Sequence, residues 1–449
     1  MKTEKVYKPS DVHDSCWLLF LALTSYILCF GFLYLRFTYF KHSENNIFPH
    51  DIMNVLPISN DLYQCVVMMP SILKTKVISG MIYSPFSLVF YNQLSGVDFN
   101  TLRLIVVILT LLSSLFIVFI LSRQLAQDIT YKPVGILLFI LSLNSYGFKF
   151  ELERGQVNVI ILCITLVSIL CARSTSLLIY ILSLILFTFA VQMKIWPLIF
   201  VFCFVDFNIS ITKNLFRLIS IIFINSLLLL CLGYQFMMQY IAKLISFTYS
   251  TDNIWIANMS INSFLTQYKK GLYIFRDPLR EIALPIQNNF PFLYIDILKI
   301  IFTICFFGVI VLALLRRIRG SDIHIIYLCG LGSLVFPTTS YDYKLVIYYI
   351  LTPVFLFCYS PIFSINTKEF NFYNKLNLLL SMNTMFYAEK LCISILVCTY
   401  PLTLFSYIYK IDYGIFLSMN TFPICCSIIV VLFLLFLKIV NNINLRIIK

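Results

Sequence analysis

Apolar runs separated by short polar stretches recur along the whole chain, near 16–35, 102–121, 133–145, 157–172, 176–192, 196–206, 217–238, 296–315, 323–337, 345–358, 390–409 and 416–437. A hydrocarbon layer about 30 Å thick is crossed by roughly 20 residues of α-helix, so this pattern predicts about twelve membrane-spanning helices, several of them short. A β-barrel would need segments of about ten residues alternating between apolar and polar. Here Ile428–Leu437 is continuously apolar, and Ile105–Leu121 is interrupted only by three hydroxyl residues. No internal repeat and no low-complexity linker divides the chain. The expectation is an all-α polytopic transmembrane helix bundle, one integral membrane domain over residues 1–449. Two longer polar segments, 36–100 and 239–295, break its rhythm.

Composition sharpens this picture. The 449 residues are 60% hydrophobic and 12% charged, against about 25% charged in soluble domains, which excludes a soluble globular fold. The net charge of +13 could point to nucleic acid, but no basic run exceeds Arg316-Arg317-Ile318-Arg319. The remaining Lys and Arg lie between apolar segments, where they read as topology signals. The fourteen cysteines sit mainly within apolar runs without metal-ligand spacing, and read as small apolar fillers. The run Cys16–Leu35 is too long for the apolar part of a signal peptide and reads as an uncleaved first span. With Lys2, Lys5 and Lys8 on the cytoplasmic side, alternating spans bring Arg123, Lys132, Arg173, Lys213, Arg217, Arg316, Arg317, Arg319, Lys438, Arg446 and Lys449 to the same side. Both termini are then cytoplasmic, and the absence of a targeting signal is compatible with a bacterial inner (plasma) membrane.

The opposite, outer face receives every chemically unusual stretch, and polar groups at span ends are costly unless they face one another or a water-filled cavity. In Glu151-Leu152-Glu153-Arg154-Gly155-Gln156-Val157-Asn158, charges and amides run straight into an apolar helix. A solvated loop accounts for the first four residues, whereas Gln156 and Asn158 either face a ligand or cap the helix. Lys194, in Gln192-Met193-Lys194-Ile195-Trp196-Pro197, is either a snorkelling interfacial lysine beside a belt tryptophan or a site cation. Pro337 through Lys344 packs hydroxyls, Asp342 and Lys344 into an outer turn. Asn258-Met259-Ser260 is a glycosylation sequon or a turn. Asp51 and Asp61 occupy the first outer segment, which ends in Tyr83-Ser84-Pro85-Phe86 and an apolar run suited to an interfacial helix. No nucleophile-elbow, Walker, zinc-protease or dinucleotide-binding pattern occurs.

The ordered set Asn60-Asp61-Leu62-Tyr63, Tyr83-Ser84-Pro85, Glu153 through Asn158, Lys194-Ile195-Trp196-Pro197, Asn258-Met259-Ser260 and Pro337 through Leu345 resembles glycosyltransferase family 87. This is the DUF2029 family of polyprenol-phosphate-mannose-dependent α-1,2-mannosyltransferase-like proteins, and the resemblance covers roughly residues 60–360. Met259 and Trp196 depart from the residues common in the family at those positions. The resemblance implies a GT-C fold with an outward-facing site. It implies a lipid-linked donor, a polyprenyl-phosphate hexose, and a glycan or glycolipid acceptor, with the bilayer as a third partner and no nucleic acid.

Within that reading, Asp61 is expected to be the catalytic base. Arg154, Gln156, Asn158, Lys194, Asn258, Tyr341, Asp342 and Lys344 are expected to bind substrate, with no metal and no cofactor. A departing phosphate is a weak base that asks for cations and N–H donors rather than a general acid. An O-antigen-type polymerase and a lipid-linked-sugar flippase or transporter are the rival classes. A transporter would show broken helices in paired repeats, which this sequence lacks.

Overall fold

The computed structural model describes residues 16–28, 60–75, 83–125, 131–143, 145–205, 209–249, 260–262, 292–315, 318, 321–337, 340, 344–359, 372–404 and 421–447. Among these residues every regular element is helical. In chain order they are α1 (Cys16–Leu28), α2 (Asn60–Thr75), α3 (Pro85–Leu94) and α4 (Phe99–Leu121), whose end, Phe116–Leu121, winds as a π-helix. Next come α5 (Lys132–Leu143), α6 (Tyr146–Arg154), α7 (Asn158–Cys171), α8 (Leu177–Met193) and a 3₁₀ segment, Trp196–Phe204. The remainder are α9 (Ile211–Leu229), α10 (Tyr234–Tyr249), α11 (Phe292–Leu315), α12 (Asp322–Val335), α13 (Leu345–Cys358), α14 (Phe372–Leu404) and α15 (Thr421–Ile447).

Among the described residues, four stretches are long and apolar enough to cross a membrane by length and composition: α4, α9, Met385–Thr403 within α14, and Pro423–Asn441 within α15. Helices α5, α7, α8, α12 and α13 are apolar but shorter. Helices α7, α12 and α13 have 14 residues each, about 21 Å of helix against about 30 Å of hydrocarbon. Length and burial run in opposite directions. Helix α9 turns Phe216, Ile219, Ile222 and Phe223 outward, as a lipid-facing helix does, whereas α13 is buried along its whole length. A helix that is apolar all round belongs either in a core or in lipid, and this bundle uses both places.

Helix α13 is the axis of the bundle, packing against α5, α6, α7 and α12. Its contact with α5 is close because Gly135 lies under the Pro353 carbonyl, where an added Cβ would come within 2.7 Å of the oxygen. Helices α14 and α15 pair with each other, and α15 packs on α12. The Tyr359 hydroxyl, at the end of α13, donates to the buried Glu389 carboxylate of α14 at 2.6 Å. Arg173 after α7 and Asp322 at the start of α12 pair at 2.8 Å. These polar contacts gather at one end of α13; the residues of the candidate site gather at the other.

Several expected spans are redrawn. The run 217–238 is two helices, because Gly233 takes a left-handed φ of 92° and its N–H closes a turn on the Leu230 carbonyl at 2.8 Å. The run 196–206 is a nine-residue 3₁₀ segment, about 18 Å long at 2.0 Å per residue and so too short to cross alone. The polar stretch around Glu151, expected as a solvated loop, is helix α6. Ser145 opens it by accepting from the Phe148 N–H at 3.2 Å.

Candidate active site

The site grows from one turn between α6 and α7. Gly155 takes a φ of 63°, a left-handed conformation open to glycine at no steric cost. The Gly155 N–H donates to the Leu152 carbonyl at 3.2 Å and the Gln156 N–H to the Glu151 carbonyl at 3.0 Å, the paired bonds of a Schellman stop. The Glu151 side chain then reaches forward across the turn. Its Oε1 accepts from the N–H of Asn158 at 2.6 Å and of Val159 at 3.3 Å, and its Oε2 accepts from Asn158 Nδ2 at 2.9 Å. Helix α7 is therefore capped by a carboxylate seven residues upstream, and Asn158 does not cap its own helix.

Glu151 is fully buried, with 0% of its surface exposed. Burial pushes its carboxyl up to about 7; the Asn158 and Val159 donors and the charge of Lys194 pull the other way. The sequence pattern missed this residue, although an acid four residues before a Gly stop, with an apolar helix starting just beyond, was a signal that it caps the next helix.

Two rungs cross from this turn to the segment after α8. Lys194 Nζ donates to Gln156 Oε1 at 3.1 Å. Two residues further along both segments, Trp196 Nε1 donates to Asn158 Oδ1 at 3.2 Å. Trp196 is 5% exposed and so is a core residue, with its indole N–H satisfied, not a member of an interfacial belt. Both ends of the Asn158 amide are held by protein groups.

Helix α3 fixes the end of α8 from the other side. Ser84, its N-cap, accepts from the Ser87 N–H, and the Ser84 hydroxyl donates to the Gln192 carbonyl at 2.7 Å. The Gln192 side-chain Nε2 donates to Asn225 Oδ1 of α9 at 3.0 Å. The Lys194 ammonium lies 5.2 Å over the Tyr83 ring, a cation–π arrangement. Cys65 of α2 donates its thiol to the Tyr83 hydroxyl at 3.0 Å, and α2 packs on both α3 and α6.

Lys344, half-buried immediately before α13, completes the group. Burial lowers its ammonium to about 7, and the like charge of Lys194 adds to the depression. Arg154 ends α6 with its guanidinium 5.7 Å over the Phe150 ring. Thus Gln156, Asn158, Lys194 and Lys344, drawn from three separate stretches of sequence, come together with Glu151, Trp196 and Tyr83. Asp61 lies in the first turn of α2, one helical turn before Cys65. Asn258, Tyr341 and Asp342 lie outside the described residues, as does Asp51. Ser260, the last residue of the Asn258-Met259-Ser260 sequon, is fully buried. Among the described residues no three His, Cys, Asp or Glu side chains gather as a metal site.

Compared with known protein families, residues 81–337 match glycosyltransferase family 87. The chain belongs to glycosyltransferase family 87. No curated protein and no solved structure matches it. The matched stretch of this glycosyltransferase contains the α6–α7 turn, Lys194, Trp196 and the α3 start. It begins after Asp61 and ends before Lys344; α2, which carries Asp61, reaches the site through the Cys65–Tyr83 bond, and α13, which Lys344 precedes, packs on α6. A glycosyltransferase needs a sugar donor and an acceptor.

Proposed function

We propose that this protein is a GT-C-type hexosyltransferase. It takes a hexose, mannose by family analogy, from a polyprenyl-phosphate donor and passes it to a hydroxyl of a glycan or glycolipid at the outer face of the plasma membrane. About twelve crossings, counting the short buried helices, and cytoplasmic termini belong to the same reading. The observation that carries it is that Lys194 and Lys344, two cations from separate stretches of sequence, lie near enough at one end of an apolar bundle for the charge of one to act on the other. Two neighbouring ammonium groups in a partly dehydrated place are unfavourable alone and favourable around a phosphate.

The isoprenoid tail lies along the apolar helices while the phosphate reaches Lys194, Lys344 and Arg154. The acceptor oxygen attacks the anomeric carbon, and the carbon–oxygen bond to phosphate breaks with its electron pair on the phosphate oxygen. The hydroxyl proton passes to the Asp61 carboxylate. The cations stabilise the charge that develops on the leaving group. Inversion follows from attack opposite the departing phosphate. Asn258, Tyr341 and Asp342 are assigned to the sugar and acceptor side of the same site.

The test is purified protein in detergent with radiolabelled polyprenyl-phosphate-mannose and an acceptor extract. Release of polyprenyl phosphate with transfer of label supports the reading. Intact donor after prolonged incubation, or movement of donor across a vesicle bilayer without cleavage, sinks it in favour of a transporter. Joining of pre-assembled lipid-linked oligosaccharides would favour a polymerase.

A further inference from the structure

We propose that Glu151 is the positioning residue of this site, setting Gln156 and hence the Lys194 ammonium through the turn that it holds at both ends. Its backbone carbonyl takes the Gln156 N–H at 3.0 Å, and its carboxylate takes the N–H groups of Asn158 and Val159 and the Asn158 amide. The turn over residues 155–157 is therefore held at two points by one residue, through its backbone carbonyl and its carboxylate. Gln156 leaves that turn to accept from Lys194, and Asn158 leaves it to accept from Trp196.

A buried carboxylate held by three N–H donors resists rotation, since each lost bond leaves a group unpaired in a place without water. The partial positive charge at the start of α7 adds to the hold. Both carboxylate oxygens are occupied, so Glu151 acts through its neighbours and does not receive the acceptor proton. The inference rests on Lys194 being a donor-phosphate contact, and the experiment keeps the two apart.

All three partners of the carboxylate are donors, so Glu151→Gln must turn its new NH₂ toward one of them. Adding Asn158→Asp reverses the polarity. The amide at position 151 then donates to a carboxylate at position 158, whose other oxygen still accepts from Trp196. Two quantities are measured for each variant: donor KM and kcat with polyprenyl-phosphate-mannose, and the rate at which acetic anhydride acylates Lys194, read by mass spectrometry. Glu151→Gln is expected to raise donor KM about tenfold and to speed Lys194 acylation severalfold, and the double variant to return both to within about threefold of wild type.

A Glu151→Gln protein with wild-type KM and wild-type acylation overturns the proposal, and so does a double variant no better than the single one. Wild-type protein that ignores the donor defeats the donor reading alone, and the acylation comparison still decides the positioning role. Should Glu151→Gln not fold while the double variant does, the polarity of this turn is supported. Should neither fold, Glu151→Asp, shorter by one methylene, is expected to raise donor KM, and an unchanged value counts against the proposal.

Discussion

Trp196 donates its indole N–H to Asn158 Oδ1 at 3.2 Å, from a position two residues past Lys194, which is itself bonded to Gln156. The two rungs make the segment after α8 a continuation of the turn before α7, so a change at either rung is felt at the other. Trp196→Phe keeps a buried ring but leaves Asn158 Oδ1 without its donor. Such a loss costs about 1–3 kcal/mol for a buried polar group. Thermal unfolding in detergent should show a lowered midpoint, with donor turnover reduced in the folded fraction. A midpoint equal to wild type would mean that the bond contributes nothing.

The charge at position 344 yields a pH dependence with a definite sign. Burial and Lys194 lower the Lys344 ammonium to about 7, so above that pH the free protein holds a growing neutral fraction. A phosphate donor favours the charged form and raises its pKa, so binding takes up a proton and weakens with rising pH, by at most about tenfold per unit. Glu151, pushed up to about 7, gains negative charge over the same range and acts in the same direction. The Arg154 guanidinium lies on the helix packed against α13. Lys344→Arg should flatten the affinity profile between about pH 6 and pH 9, and Glu151→Gln should remove the remaining slope. A wild-type profile already flat across that range rules out Lys344 as a phosphate contact.

The bundle was legible in the sequence because apolar runs report burial in lipid or protein without needing to say which. The same property hid the details. Leu227–Leu232 is apolar on both sides of the turn that Gly233 closes, so hydropathy alone merged α9 with α10. Helices α12 and α13 are too short for the bilayer and survive because other helices surround them, a tertiary fact. Lys194, Gln156 and Asn158 stood out as polar residues at span ends, and the fold brings them together. Glu151 did not, because a carboxylate between Phe150 and Leu152 reads as solvated until α13 and α7 are packed over it.

Helix contact at the centre of the bundle gives a test that does not involve the site. A Cβ at Gly135 would meet the Pro353 carbonyl oxygen at 2.7 Å and the Phe357 backbone nitrogen at 3.4 Å. Neither can move unless α5 and α13 part. At Gly330 the nearest atom is the end of the Leu351 side chain, which can change rotamer. Gly135→Ala should therefore destabilise by about 1–3 kcal/mol, and Gly330→Ala by distinctly less. Thermal midpoints of the two variants in the same detergent decide the order; the reverse order would contradict the close packing of α5 on α13.

Orientation can be read with an impermeant thiol reagent on a cysteine-depleted background. Ser95, exposed between α3 and α4, and Thr175, exposed between α7 and α8, lie at opposite ends of the bundle. With the site outward, a cysteine at Ser95 should react in intact cells and one at Thr175 only after permeabilisation. The opposite pattern turns the end that holds Lys194 toward the cytoplasm and removes the proposed use of an outer-face acceptor.

The remaining question is which carboxylate takes the acceptor proton. Glu151 has both oxygens committed to N–H donors and no exposed surface, so it is poorly placed to meet an incoming hydroxyl. Asp61 sits in the first turn of α2, a turn from Cys65, which bonds the Tyr83 ring that underlies Lys194. Asp61→Asn keeps shape and removes basicity, so kcat should fall by about 10²–10⁴-fold, the usual contribution of a general base. Donor KM should stay near wild type, because the phosphate contacts are untouched. Asp51→Asn should change neither constant. This split separates the base from the positioning residue, whose loss is expected in KM. An Asp61→Asn enzyme with wild-type kcat would remove Asp61 from the mechanism, and a dead Asp51→Asn beside it would transfer the role to Asp51.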